Sequence, residues 1–262
     1  MLNQAQIQSV TALVKKVGVF QINEQQKIVS TDINEKSLNQ LVSYVDVESE
    51  KKLVEGLQRI TPTCGFLTEE ETTTLKNDEL YWIIDPLDGT TNFLFQHRQF
   101  SISIALVSKD KTVFGCVYIP ADKEMFIASP DGAYLNGNRI TVSSRSTLQS
   151  SLIATGFPYY TFNELDSYLE VLKVLMKETK GLRRMGSAAI DLAYTALGKF
   201  DGFFELNLSP WDVAAGAYIV KQSGGMVTDF KGGSNYIFGK SIIAGNMAIG
   251  QELSTEILKH HF

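Results

Sequence analysis

The chain has 262 residues, 44% hydrophobic and 20% charged, with 24 basic against 29 acidic side chains and a formal net charge of −5. That composition fits a globular chain of one large or two ordinary domains and argues against a basic nucleic-acid-binding surface. No apolar run approaches the roughly 20 residues that span a bilayer, and the first residues lack a basic-then-apolar signal pattern. A cytoplasmic chain without membrane or nucleic-acid partners is therefore expected.

Residues 3–18 place Ile7, Val10, Leu13, Val14 and Val17 at helical spacing, with Gly18 as the expected stop. Residues 36–45 read as polar and then extended, and Asp46 as the start of a second amphipathic helix carrying Leu53, Val54, Leu57 and Ile60. A short strand is expected over 65–68 and a buried one over 81–84, stopped by Asp85-Pro86. Strands over 100–107, 112–119 and 124–128 and a hairpin over 132–137 follow, joined by short turns that imply antiparallel pairing. The polar, serine-rich stretch 143–150 is the candidate boundary. Beyond it, strands (151–155, 181–185, 201–206, 226–230, 241–244) alternate with helices (162–178, 187–197, 211–222, 250–258), which implies helices packed on a sheet.

The two cysteines, Cys64 and Cys116, lie far apart and read as reduced, buried and structural. The three histidines, His97, His260 and His261, supply neither zinc-ligand spacing nor a nucleophile triad, and His97 is expected as a surface or hydrogen-bonded residue. Carboxylates, however, recur at the ends of elements. Asp46 falls in the first turn of a helix, where an acid also serves the helix dipole. Glu69-Glu70-Glu71 follows a buried strand, although three adjacent acids also make an ordinary solvated loop. Asp85 and Asp88 sit where a strand gives way to a helical turn, a place for a capped turn or for a divalent metal beside a phosphate. Asp212 follows Pro210 at a helix start, as a capping acid or as a ligand.

The segments Asp85-Pro86-Leu87-Asp88-Gly89-Thr90-Thr91 and Trp211-Asp212-Val213-Ala214-Ala215-Gly216, with Glu69-Glu70 upstream, resemble the signature segments of the inositol monophosphatase family. These are magnesium-dependent, lithium-sensitive phosphatases of sugar and polyol phosphates. The resemblance implies an α+β fold, a layered α-β-α-β-α sandwich. An antiparallel-sheet half (1–145) with two long helices would join a smaller α/β half (146–262), with the site between them, and the chain would form a homodimer. By position it implies two or three Mg²⁺ ions held by Glu69, Asp85, the Leu87 carbonyl, Asp88 and Asp212. Phosphate would lie at Asp88, Gly89 and Thr90. Glu69, Thr90 and Asp46 would form the catalytic set, Glu69 accepting a proton from the attacking water and Asp46 standing near a third, weaker ion. Gly186, Ser187, Ala188, Glu205 and Asp212 would meet the substrate.

The activity so implied is hydrolysis of inositol monophosphate or a similar small polyol phosphate. Thr91-Asn92-Phe93 favours this branch over 3′-phosphoadenosine 5′-phosphate phosphatases, which tend to carry lysine and glutamate there. Histidinol-phosphate, fructose-1,6-bisphosphate and NADP phosphatases, and a regulatory or RNA-machinery-binding member of the fold, remain alternatives. Thr68 stands where the family often has glycine, and the link from Glu69 to Asp85 is short, which bears on the outer metal site. Arg183 and Arg184 are expected as surface or dimer-contact residues rather than substrate neighbours.

Overall fold

A computed structural model of the chain describes residues 2–28, 34–37, 40–73, 79–158, 162–260 and 262, with the backbone alone described at 34–37, 40 and 41. The expectation for 36–45 lies partly, and His261 wholly, outside the described residues. In chain order the helices are α1 (Gln4–Gln25), α2 (Tyr44–Ile60), α3 (Thr90–Leu94), α4 (Leu165–Glu178), α5 (Ala188–Ala196), α6 (Pro210–Gln222) and α7 (Met247–Ile257). The strands are β1 (Asn34–Ser37), β2 (Gln40–Val42), β3 (Gly65–Thr68), β4 (Leu80–Asp88), β5 (Ser101–Ser108), β6 (Lys111–Ile119), β7 (Glu124–Ser129), β8 (Gly132–Leu135), β9 (Asn138–Arg139), β10 (Leu152–Thr155), β11 (Gly181–Arg183), β12 (Gly202–Leu206), β13 (Met226–Thr228) and β14 (Ser241–Gly245).

Strands β3 to β9 form a seven-stranded sheet in sequence order, and β11-β10-β12-β14-β13 a five-stranded one. The larger sheet is antiparallel apart from β3, which pairs with β4 in parallel. Strand periodicity sorts the side chains. On β4, Trp82 and Ile84 face α1 and α2 with Val10, Val14, Val17, Leu53 and Leu57, whereas Tyr81 and Ile83 face α5 and α6. The five-stranded sheet divides the same way. Ala154, Phe203 and Ile242 turn toward α5 and α6, and Ile153, Phe204 and Ile243 toward α4 and α7. The result is the α-β-α-β-α layering, with α5 and α6 shared between the sheets. We keep 1–145 and 146–262 as a proposed division. The connecting stretch is tied down at the second sheet, where buried Asp201 accepts hydrogen bonds from the Ser143 hydroxyl, Arg145 Nη1 (2.9 Å) and the Leu152 N–H (2.7 Å).

Several boundaries depart from expectation for tertiary reasons. Gly18 does not end α1. It lies inside the helix because an added Cβ would come 2.6 Å from the Tyr118 ring, so the glycine serves close packing on the sheet. The extended run does not reach Val45. Ser43 caps α2, accepting from the Val45 N–H, while Asp46 Oδ2 accepts from the Ser43 N–H (2.9 Å) and hydroxyl (2.7 Å). Pro86 does not stop β4: pairing with β5 continues to Asp88 through an irregularity between Asp85 and Asp88, where no ladder N–H is demanded of proline. Helix α7 starts three residues before Gly250 because Asn246 Oδ1 caps it at the Ile249 N–H (3.0 Å). Both cysteines are free and buried, and burial pushes the Cys116 thiol up to about 12. Among the described residues, no helix is long and apolar enough to cross a membrane.

Candidate active site

The irregularity in β4 decides where the site lies. Asp85 and Asp88 flank it at the C-terminal end of β4, and a positive φ at Gly89 (92°) then starts α3. Gly89 is required twice, because a Cβ there would also meet the Gln99 carbonyl oxygen at 2.8 Å. Behind the turn, Gln21 of α1, fully buried, donates from Nε2 to the Pro86 carbonyl (2.6 Å) and to Ser49 Oγ (3.2 Å). The N-terminus of α6 brings Asp212 from the other sequence half. Ligand oxygens of Asp85, Asp88 and Asp212 all lie within 4.8 Å of one another. Glu69, at the end of β3, sits within hydrogen-bonding reach of Asp85.

Each carboxylate is oriented by local donors. Asp85 Oδ1 accepts from the Leu87 N–H (3.0 Å), and Asp88 Oδ2 from the Ser187 hydroxyl and the Ala189 N–H (2.8 Å). Asp212 Oδ2 accepts from the Ser209 N–H (2.6 Å). These bonds do not offset the burial of so many acids. Burial first, and then the neighbouring charges of Glu69, Asp88 and Asp212, hold Asp85 well above the usual carboxylate range. Burial raises Asp88 to about 6, and burial plus the charge of Asp88 raises Asp212 to about 8. Hard oxygen donors, crowded in a place that disfavours their charged forms, fit a divalent cation such as Mg²⁺.

These residues open onto a cavity of about 330 Å³. Glu69, Asp85, Leu87, Asp88, Gly89, Thr90, Gly186, Ser187, Ala188, Glu205 and Asp212 all line it, so all but one of the sequence candidates come together there. Asp46 stands behind Thr90 instead: the Thr90 hydroxyl lies 2.9 Å from Asp46 Oδ1 and 3.0 Å from the Leu87 carbonyl oxygen, one proton facing two acceptors. Burial raises Asp46, against hydrogen bonds from Ser43 and Thr90.

Ser187 caps α5 through the Ile190 N–H, and Gly186 has φ +81°. Asn92 Nδ2 braces the segment before them, reaching the carbonyls of Met185 (2.8 Å) and Gln99 (2.7 Å). Glu205 ends β12, and burial, then the charge of Asp88, raises it to about 8. Its carboxylate lies against the backbone of Gly156, where a methyl group would overlap it. Gly156→Ala must therefore turn Glu205 away. If Glu205 binds substrate hydroxyls, we expect KM to rise by about fivefold or more, the worth of one hydrogen bond. Steady-state kinetics on a polyol phosphate checks this, and an unchanged KM would remove Glu205 from the substrate.

Sequence reasoning missed several residues here. Arg184 is exposed, as expected of a surface residue, but it also lines the cavity and acts electrostatically on Glu205 and Asp191. Asp191, in the first turn of α5, is buried at the cavity wall, with Oδ1 unpartnered and its acid held well above the usual range by burial and then by Glu205. Glu50 on α2 is fully buried and bonds the turn after Glu69. Its position four residues after Asp46, on the same helix face, was the available signal.

The chain matches the inositol monophosphatase family over residues 3–261. It is 40% identical over 219 residues to the Nus factor SuhB of Escherichia coli, covering 83% of this chain and 82% of that protein. The crystal structure of extragenic suppressor protein suhB from Bartonella henselae superposes with a TM-score of 0.93 at 38% identity, over 98% of this chain and 99% of that one. The Thermotoga maritima IMPase superposes with a TM-score of 0.85 at 32% identity, over 95% and 94% of the two chains. With a sequence match of this extent, a shared fold and the signature acids gathered at one cavity, the chain belongs to the inositol monophosphatase family.

Proposed function

We propose that this chain is a Mg²⁺-dependent phosphatase that hydrolyses inositol monophosphate or a similar small polyol or sugar phosphate by direct attack of water. The single observation that carries the reading is the convergence of Asp85, Asp88 and Asp212 at one cavity beside Glu69. In it, Glu69, Asp85, the Leu87 carbonyl, Asp88 and Asp212 would hold the ions, two or three in number. When bound, Mg²⁺ supplies positive charge to the phosphate oxygens and to the developing charge of the leaving group.

The chain's own residues supply the rest. Backbone N–H groups at Gly89 and Thr90 orient the phosphate. The Thr90 hydroxyl, its proton directed at Asp46 and Leu87, turns lone pairs outward to accept a hydrogen bond from the attacking water. Glu69 takes the proton that this water gives up as its oxygen bonds to phosphorus. The ester P–O bond then breaks, and the leaving alkoxide takes up a proton from solvent water to depart as the polyol. Glu205, Asp212 and the 186–188 segment hold the hydroxyls. The same reading includes lithium sensitivity, a homodimer and a cytoplasmic location.

A panel of phosphate monoesters, assayed with Mg²⁺, with and without lithium, and in EDTA, tests the proposal. We expect the highest kcat/KM on a polyol monophosphate and no turnover in EDTA; turnover that persists in chelator would reject the mechanism. A second reading, a regulatory binding role, is favoured by the name Nus factor carried by the Escherichia coli relative. Asp88→Asn separates the two, since a binding role alone should survive it.

A further inference from the structure

We propose that Glu50 is a positioning residue for the metal site: its buried carboxylate fills a nest of backbone amides in the 69–72 turn and so fixes where Glu69 points. The inference rests on the phosphatase reading for its purpose, though not for its geometry.

Glu50 lies one turn beyond Asp46 on α2 and is fully buried. A carboxylate so placed is costly unless hydrogen-bonded. Its donors are the Glu70 N–H to Oε2 (2.7 Å), the Thr72 N–H to Oε1 (2.8 Å) and the Thr72 hydroxyl to Oε1 (2.6 Å). An acidic run such as Glu69-Glu70-Glu71 should avoid another acid by charge alone. It wraps around one here because the backbone faces Glu50 while the Glu71 side chain is exposed.

The turn is made by Glu71 at φ +51°, a left-handed conformation that is unfavourable for a non-glycine residue. Such a residue between two others turns nearby N–H groups toward one anion. Upstream, the Glu69 N–H donates to the Ile84 carbonyl at 3.2 Å. The Glu69 peptide is thus held by the sheet on one side and by Glu50 on the other, so the turn carries its carboxylate to the cavity beside Asp85. A lysine or arginine carries donors only and could not satisfy these groups, so the turn requires an acceptor at position 50. A carboxylate held by amides anchors the turn and leaves the field negative.

The test uses the full chain. Glu50→Gln keeps the shape of the side chain but removes an acceptor and the charge; Glu50→Ala empties the nest. Glu48→Gln, on the exposed face of the same helix, is the control. We expect isothermal titration with Mg²⁺ to show affinity weakened by about 10- to 100-fold in Glu50→Gln, the usual effect of losing a group that orients a metal ligand. Hydrogen exchange at the Glu70 and Thr72 amides should accelerate, and substrate KM at saturating Mg²⁺ should stay near the wild-type value. Glu48→Gln should match wild type throughout. Folded Glu50→Gln with wild-type Mg²⁺ affinity would overturn the proposal. If Glu50→Ala fails to fold, the glutamine variant decides. A wild type that hydrolyses no phosphate monoester overturns the phosphatase reading instead, and amide exchange then still decides whether Glu50 fixes the turn.

Discussion

Asp85→Asn should lower kcat by about 10³-fold or more at saturating Mg²⁺ and at the same time raise the melting temperature of the metal-free protein. The two effects share one cause. Asp85 is buried where the Glu69, Asp88 and Asp212 carboxylates crowd it, and its acid is held well above the usual range by burial first and by those charges next. In the metal-free protein this arrangement opposes folding, because the unfolded chain can ionise the same group freely in water. An amide carries no such charge and removes the conflict. The local turn should survive, since the amide oxygen can accept the Leu87 N–H as Asp85 Oδ1 does at 3.0 Å. In the phosphatase proposed above, catalysis would depend on the same crowded charge. A cation held by one carboxylate fewer is bound more weakly and is less well placed to stabilise the transition state. A loss of several kcal/mol of such stabilisation corresponds to about 10³-fold at 1.36 kcal/mol per decade. Turnover at saturating Mg²⁺ and thermal melts in EDTA measure both sides. Near-normal turnover would remove Asp85 from the metal site, and a lower melting temperature in EDTA would refute the electrostatic account.

What the sequence displayed, and what it hid, divides along the range of the interactions. The acids of the cage were legible because each sits beside local punctuation: Pro86 and Gly89 around Asp85 and Asp88, and Pro210 before Asp212. The strands of the larger sheet were legible because short turns separate runs of β-branched and aromatic residues. Gly18 was misread because its role comes from Tyr118, a hundred residues away, and nothing local distinguishes a packing glycine from a terminating one. Pro86 was misread for a similar reason, since only its pairing with β5 shows that the ladder tolerates it. The parallel pairing of β3 with β4 was also hidden, because no short turn joins them. Arg184 is exposed, as expected of a surface residue; only the folded chain also places it at the cavity near Glu205. Glu50 is the deepest case. Its spacing from Asp46 marked its helix face but not its task, because two of its three donors are backbone amides, and an amide leaves no mark in a sequence.

The remaining large effect is a coupling of metal, protons and stability. Burial raises Asp88 to about 6 and Asp212 and Glu205 to about 8, and holds Asp85 and Asp191 higher than the usual carboxylate range. An unfolded chain releases these protons near pH 4. Between about pH 4 and pH 8 the folded, metal-free protein therefore binds more protons than the unfolded one. Stability must fall as pH rises through that window. The acids Glu24 and Glu48, lowered by hydrogen bonds to their lysine partners at the surface, act in the opposite direction, but screening by water keeps their share small. Melting temperature in EDTA should accordingly decline from pH 5 to pH 8. On the proposed reading Mg²⁺ would compete with the same protons, so its stabilisation should grow over that range and flatten the decline. At one hundred times its dissociation constant it contributes about 2.7 kcal/mol, or roughly 5–10 °C for a chain of this size. Melting curves at fixed ionic strength, with EDTA and with Mg²⁺, give both slopes. A melting temperature in EDTA that is flat or rising across the window would mean that the buried carboxylates are neutralised by something other than protons or a divalent ion, and the cage would lose its physical basis.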